Sequence, residues 1–522
     1  MPESLGNNFL ALLPEYVLTV AGVLIMLLTP VLPESRSRKP LGWLAIVAAI
    51  AATALSLWQL HLGIMDAFSN SIHVDSYAVF FQVIIGLVVV ATLLTSLDFL
   101  DRNSTHAGEY YALVCFGTVG MMLMCCSTEL LMVFIGLEIS SISTYIMAGF
   151  RKGQATGSES SLKYFLLGSF ATAFFLYGVA LTFGATGSTN LSAIASAVTT
   201  TQTPILAVLA IAMIIIGIGF KVSAAPFHVW TPDVYQGAPA PVVGMMSTAP
   251  KAAAFAVLLR ILFSGYATLQ PRWQILMAII SVLSMCIGNL GALMQRDVKR
   301  MLAYSSIAHA GYLIAAFTAL PTDGIAAAAF YSAAYAAMNV GAFIVITLLT
   351  GYQERLRSGE DYTGMALRHP VLGAALTFFL MSMIGIPFTG GFFGKFYVFT
   401  AVMHTGHVNL AIIGLLNSGV ACFYYLRLIV RIYTTPATTE FANYEGMSQQ
   451  EAIALQKSSG YFTTPTATRI PSYIALTAAV VATLLLGIAP GRVLTMAQVA
   501  AIATAPAGVA TGNTVTDPAA LH

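Results

Sequence analysis

Charge is what this sequence has least of. Asp, Glu, Lys and Arg make up 8% of its 522 residues, where soluble domains carry about 25%. The formal net charge is only +2, and the basic residues form no patch, which excludes a nucleic-acid surface. Cysteine is scarce too. Cys115, Cys125, Cys126, Cys286 and Cys422 lie in or beside apolar segments without CxxC or Cys/His spacing, so neither a disulfide framework nor a metal site follows. There is no P-loop, no dinucleotide fingerprint followed by an acidic residue, and no histidine pair at haem-ligand spacing. The chain therefore has no evident way to drive work by its own ATP or redox chemistry. A basic leader is also lacking: Glu3 and Glu15 flank the first apolar run, which reads as a first membrane helix and not as a cleaved signal.

What the sequence has is apolar surface. Hydrophobic residues make up 58%, more than one aqueous core can hide, so lipid must be the solvent. Apolar stretches of membrane-spanning length predict an all-α polytopic protein with about fourteen transmembrane helices, near 10–32, 40–62, 76–98, 109–127, 129–150, 160–186, 204–225, 242–264, 272–294, 300–320, 325–350, 371–404, 409–433 and 472–490. The twelfth is too long for one straight helix, and Pro387, Gly390 and Gly391 predict its break. With the N-terminus outside, sixteen of the 23 basic residues fall in or beside cytoplasmic loops. Only Arg272 and Arg492 fall on the other side, and the remaining five lie within spans. This bias predicts an inner-membrane protein with both termini periplasmic.

Spans four to eight and nine to thirteen are two units of five helices. An odd number reverses the topology of the second unit, so the layout predicts an inverted repeat. The expected organisation is a three-helix segment (1–108), a first repeat (109–264), a second (272–433), a polar cytoplasmic loop (434–470) with a short helix at Ser448–Lys457, and a last span with a mobile tail (471–522, the tail from 505).

Ionisable groups at bilayer depth cost on the order of 3 kcal/mol each and normally face protein or water. Six stand out. Glu138 sits mid-span in FIGLEISSIS, ahead of Ser140, Ser141 and Ser143. It is either a protonated helix–helix bond or a carboxylate whose pairing changes in turnover. Lys221, in GIGFKVSAAPFH, precedes Pro226, which should interrupt the seventh helix and free carbonyls. A lysine there can reach those carbonyls or a water-filled cavity. Where the site is partly dry it can give up a proton, and movement of a nearby carboxylate such as Glu138 is a switch. Lys251 follows Pro250 well inside the eighth span, and Lys395 follows the break of the twelfth. His309, in YSSIAHAGY, is either a satisfied core histidine or a proton relay. Lys163 lies about one turn into its span and is either an interfacial anchor or part of the site. Buried charges beside interrupted helices are the sequence mark of an ion-transport site.

These residues and two long motifs, FKVSAAPFHVWTPDVYQGAPAPVVGMMSTAPK and QRDVKRMLAYSSIAHAGY, resemble the antiporter-like membrane subunits of respiratory complex I over nearly the whole chain. The first motif is closest to the subunit N type. The family pattern is a glutamate in the fifth span and lysines in the broken seventh, the eighth and the broken twelfth, matched by Glu138, Lys221, Lys251 and Lys395. The resemblance implies a subunit that binds no flavin, iron–sulfur cluster or quinone. NADH, FMN, iron–sulfur clusters and quinone would be used by partner subunits. It implies neighbours of M type on one side and A, J and K types on the other. Separation of Glu138 from Lys221 would alter the lysine's hold on its proton, Lys251 would connect, and Lys395 would be the terminal donor or acceptor, with His309 in support and Lys163 less certain. Three alternatives remain at this point: a cation/proton antiporter of Mrp type, a membrane subunit of a hydrogenase-type complex, and a passive scaffold.

Overall fold

The structure is a computed structural model, and it describes residues 2–33, 37–100, 106–151, 154–200, 204–351, 354, 356–434 and 469–504. The expected helix at Ser448–Lys457 and the tail from 505 lie outside the described residues.

The chain is a helical bundle. Its first part comprises α1 (Pro2–Ala11), α2 (Leu13–Leu28), α3 (Lys39–Gln59) and, after a small hairpin, α4 (Ser76–Leu100). The hairpin pairs β1 (Met65–Ala67) antiparallel with β2 (Ile72–Val74), Asp66 opposite His73. Next come α5 (Ala107–Cys126), α6 (Leu130–Ala148), α7 (Ala155–Thr186), the short α8 (Leu191–Thr200), α9 (Pro204–Val222), α10 (Trp230–Gly237), α11 (Ala240–Met246) and α12 (Ala249–Arg260). The remainder is α13 (Gln270–Leu293), α14 (Val298–Ala315), α15 (Pro321–Thr350), α16 (Met365–Arg368), α17 (Pro370–Ile384), α18 (Gly390–His404), α19 (Val408–Tyr433), α20 (Ile470–Ile488) and α21 (Pro490–Thr504).

Among the described residues, twelve helices are long and apolar enough to cross a membrane. Two of the fourteen expected spans fall short of that measure. The first is carried by α2, an apolar helix of 16 residues that begins after Leu12. The twelfth is divided between α17 and α18, each of 15 residues. Helices α8 and α21 and the hairpin were not expected. They lie in short segments that carry no membrane-length apolar run.

Both breaks form where expected, and each frees backbone groups that must find partners, because lipid offers none. After α9, the Phe220 carbonyl accepts from the Trp230 indole Nε1 at 3.0 Å, and the Ala225 N–H donates to Ser284 Oγ at 2.8 Å. After α17, Gly385 takes a left-handed φ of 95° and its N–H closes onto the Met381 and Ser382 carbonyls. The two helix ends at this break come very close: a Cβ on Gly391 would lie 1.9 Å from the Ser382 carbonyl oxygen.

The helices sort into a centre and a rim. The α11–α12 stretch, α14 and α15 are almost entirely buried within the chain. Helices α7, α19 and α20 present wide apolar faces, with Leu162, Phe165, Leu166 and Phe170 exposed on α7. Charge that costs most in lipid can therefore be held by the central helices.

Candidate functional site

Lys221, Lys251 and Lys395 are 4%, 3% and 6% exposed, and among the described residues none of them has an ion-pair partner. Each is held by one serine hydroxyl. Lys221 Nζ donates to Ser141 Oγ at 2.9 Å. Lys251 Nζ donates to Ser306 Oγ at 2.6 Å and reaches the Ser306 carbonyl at 3.4 Å. Lys395 Nζ donates to Ser418 Oγ at 2.7 Å and to the carbonyls of Met383 and Ile384, each at 2.9 Å. A hydroxyl can accept from an ammonium or donate to a neutral amine, so each pair can exist in either protonation state.

The surroundings differ from site to site. Lys221, in the last turn of α9, lies 5.9 Å from the centre of the Tyr164 ring, which stacks on Trp230 at 4.4 Å. The Phe220 carbonyl accepts from both the Ser223 N–H and the Trp230 indole, so it is not left for Lys221. Glu138 is half-buried on α6, and its Oε1 is buried without a hydrogen-bond partner. It acts on Lys221 through space and does not form an ion pair with it. Lys395, in contrast, uses the carbonyls that its own break frees at the end of α17. Its ammonium also lies 5.1 Å from the centre of the Tyr312 ring.

Lys251 joins the two regions. Its partner Ser306, on α14, also accepts from the Tyr335 hydroxyl of α15 at 2.6 Å. Thr248, Lys251, Ser306, Ser332 and Tyr335 line a cavity of about 10 Å³, counted as the space open to the centre of a water-sized sphere. That is close to the space one water needs. The Tyr235 hydroxyl is buried with no hydrogen-bond partner, and Trp230 packs against its ring. His309, 2% exposed, has Nδ1 2.7 Å from the Tyr331 hydroxyl and Nε2 3.3 Å from that of Tyr425. Tyr425 also bonds Ser305. Tyr312, against Lys395, accepts from Asn289 Nδ2 at 3.1 Å, and Asn289 Oδ1 accepts from Tyr424 at 3.1 Å. A line of lysines, hydroxyls and one imidazole thus runs across the buried middle of the bundle.

Lys163 belongs elsewhere. Its side chain is 41% exposed and pairs with Glu159 at 2.7 Å and Asp233 at 2.8 Å. Asp233 also binds Arg300 at 2.5 Å, so this cluster ties α7, α10 and the start of α14 together at one end of the bundle. Sequence reasoning singled out the lysines, Glu138 and His309. It missed Ser418, Trp230, Asn289 and most of the tyrosines, because polar and aromatic residues of these types are common in membrane helices. Among the described residues, no group of three or more His, Cys, Asp or Glu could hold a metal.

Comparison with known proteins identifies the family. The family described as NADH:quinone oxidoreductase/Mrp antiporter, TM, matches residues 127–421. The NADH-quinone oxidoreductase subunit N 2 of Koribacter versatilis is 49% identical over 434 residues, covering 82% of this chain and 87% of its own. Subunit N 1 of Solibacter usitatus is 46% identical, covering 83% and 90%. Among solved structures, a chain of respiratory complex I from Thermus thermophilus with bound aureothin is 33% identical with a TM-score of 0.75, over 93% of this chain and 99% of that one. A chain of the Mrp complex from Dietzia shares the fold at a TM-score of 0.81, but only 19% of its residues. The chain belongs to the antiporter-like membrane-subunit family of NADH:quinone oxidoreductase, within its subunit N branch.

Proposed function

We propose that this chain is a proton-translocating membrane-arm subunit of NADH:quinone oxidoreductase in the bacterial inner membrane. The observation that carries the reading is the set of three buried lysines, each held by a serine and by no carboxylate. An ion pair would fix the charge, whereas a serine tolerates its loss. Glu138 stands within electrostatic reach of Lys221 but outside ion-pair distance, an arrangement suited to a pair that closes and opens. In this reading closure holds the proton on Lys221 and opening releases it towards Lys251. Lys251 passes it along Ser306, the surrounding tyrosines and His309, and Lys395 is the terminal donor or acceptor. Lys163, with Asp233, belongs to the end of the bundle that carries the expected cytoplasmic loops.

The energy comes from partners. NADH, FMN, iron–sulfur clusters and quinone would be handled by other subunits, and this chain binds none of them. Its neighbours would be an M-type subunit on one side and A-, J- and K-type subunits on the other, with both termini periplasmic. The subunit N relatives, at identities up to 49% over most of both chains, favour this over an Mrp-type antiporter or a hydrogenase-type subunit.

Lys221→Ala in the assembled complex tests the reading. The complex should form in normal amounts, and proton pumping into inverted membrane vesicles should fall together with quinone reduction. Glu138→Gln should do the same. Unchanged rates of pumping and of quinone reduction in an assembled Lys221→Ala complex would remove the role assigned to it.

A further inference from the structure

A second buried polar cluster occupies the ends of the helices that meet at Lys251. Glu354, 3% exposed, follows the C-terminus of α15. Its Oε1 accepts the backbone N–H of Ala240, the first residue of α11, at 2.5 Å. Its Oε2 accepts from Lys299 Nζ at 2.5 Å and from Arg151 Nη2 at 3.0 Å. The same two cations hold the preceding turn: Arg151 reaches the Gly237 carbonyl at 3.2 Å and Lys299 the Ala238 carbonyl at 2.8 Å. Both cations are buried. The turn between α10 and α11, which links the broken seventh span to the Lys251 helix, is therefore fastened by charged side chains from three separate segments. Glu354 itself has a φ of 45°. A residue with a side chain keeps that left-handed conformation only where its surroundings over-determine it.

Stability explains the cluster poorly, because desolvation offsets most of what a buried ion pair gains. Register explains it better. Lys251 on α12, Ser306 on α14 and Tyr335 on α15 meet in one junction. The clamp binds the same three elements a second time. Ala240 leads through α11 to α12, Lys299 lies two turns before Ser306 on α14, and Glu354 lies four residues beyond the end of α15. A second fixed point on α14 and on the segments that adjoin α12 and α15 opposes sliding. A displacement of about 1 Å at the junction would stretch the 2.6 Å bond of Lys251 to Ser306 beyond hydrogen-bond range.

We propose that Glu354 is a positioning residue, whose clamp on Lys299, Arg151 and the Ala240 N–H sets the register of the three helices that hold Lys251. The inference rests on the reading of Lys251 as a proton carrier. The test measures the rate and pH profile of proton pumping by the assembled complex in inverted vesicles, for Glu354→Gln, Lys299→Gln and Lys251→Ala. Lys299→Gln leaves the Glu354–Arg151 pair intact, so it strands no buried charge if Glu354→Gln fails to assemble. Both clamp variants should lower pumping about tenfold, within the hundredfold that a 1 Å misplacement can cost, and should displace the pH profile. A scaled-down profile with an unchanged midpoint overturns the proposal, since a merely structural loss has that signature. Failure of both clamp variants to assemble overturns it too, by making the cluster a folding element. Normal pumping by the clamp variants beside an impaired Lys251→Ala overturns this inference alone. Normal pumping by Lys251→Ala removes the functional reading and the inference with it.

Discussion

At the scale of single residues, the site depends on what a serine hydroxyl can do for a lysine. Lys395 makes three hydrogen bonds, to Ser418 and to the Met383 and Ile384 carbonyls, and each can receive one ammonium proton. An arginine keeps the positive charge and could satisfy the same acceptors, but it does not deprotonate in proteins. Lys395→Arg should therefore assemble and still lose most of its proton pumping, as measured by pumped protons per electron in vesicles. Restored pumping in that variant would mean that Lys395 supplies charge and not a proton. The lysines were legible in the sequence because a charge stands out in an apolar run. Of their serine partners, Ser141 stood out through its place after Glu138, and Ser418 did not. Thr92 and Thr118 sit in similar spans and merely bond the carbonyl one turn back, and nothing local separates them from Ser418.

At the scale of elements, Pro226 and the Pro387–Gly391 stretch announced both helix breaks, because proline and glycine act on the backbone of their own segment. The partners of the freed groups come from distant segments and were not announced. Lys221 was expected near freed carbonyls, yet Trp230 takes the one at Phe220, and it is Lys395 that fills this role at the other break. The second break also depends on close approach. Gly391, in the first turn of α18, leaves no room for a methyl group against the Ser382 carbonyl. Gly391→Ala should push α18 away from α17 and draw Lys395 from its two carbonyls. The expected result is a loss of roughly 1–3 kcal/mol in stability, the usual cost of overpacking, read as a lower unfolding temperature of the purified complex, together with weaker pumping. An alanine accommodated without either effect would show that the break has more slack than its geometry indicates.

At the scale of the whole molecule, the apolar spans that made the fold legible also set its limits as a machine. Lys251 and His309, the middle of the line, lie on central helices buried against one another, while α7, α19 and α20 turn apolar faces outward. The six residues singled out from the sequence lie on six different spans, and the folded bundle brings all but Lys163 towards one another. That convergence could not be read locally, because it depends on how the spans pack. In the proposed reading the line moves protons, and partner subunits supply the drive. On that reading direction comes from a change imposed at one end of the line, where Glu138, half-buried and with Oε1 lacking a hydrogen-bond partner, would receive it. The purified chain alone in proteoliposomes should generate no pH gradient on addition of NADH and a quinone, and should not exchange sodium for protons when a gradient is applied. The same chain returned to a complex lacking only this subunit should restore redox-driven acidification. Sodium–proton exchange by the isolated chain would instead favour a self-sufficient antiporter. The buried lysines would then be read as a complete transport site, with no need of redox subunits to drive them.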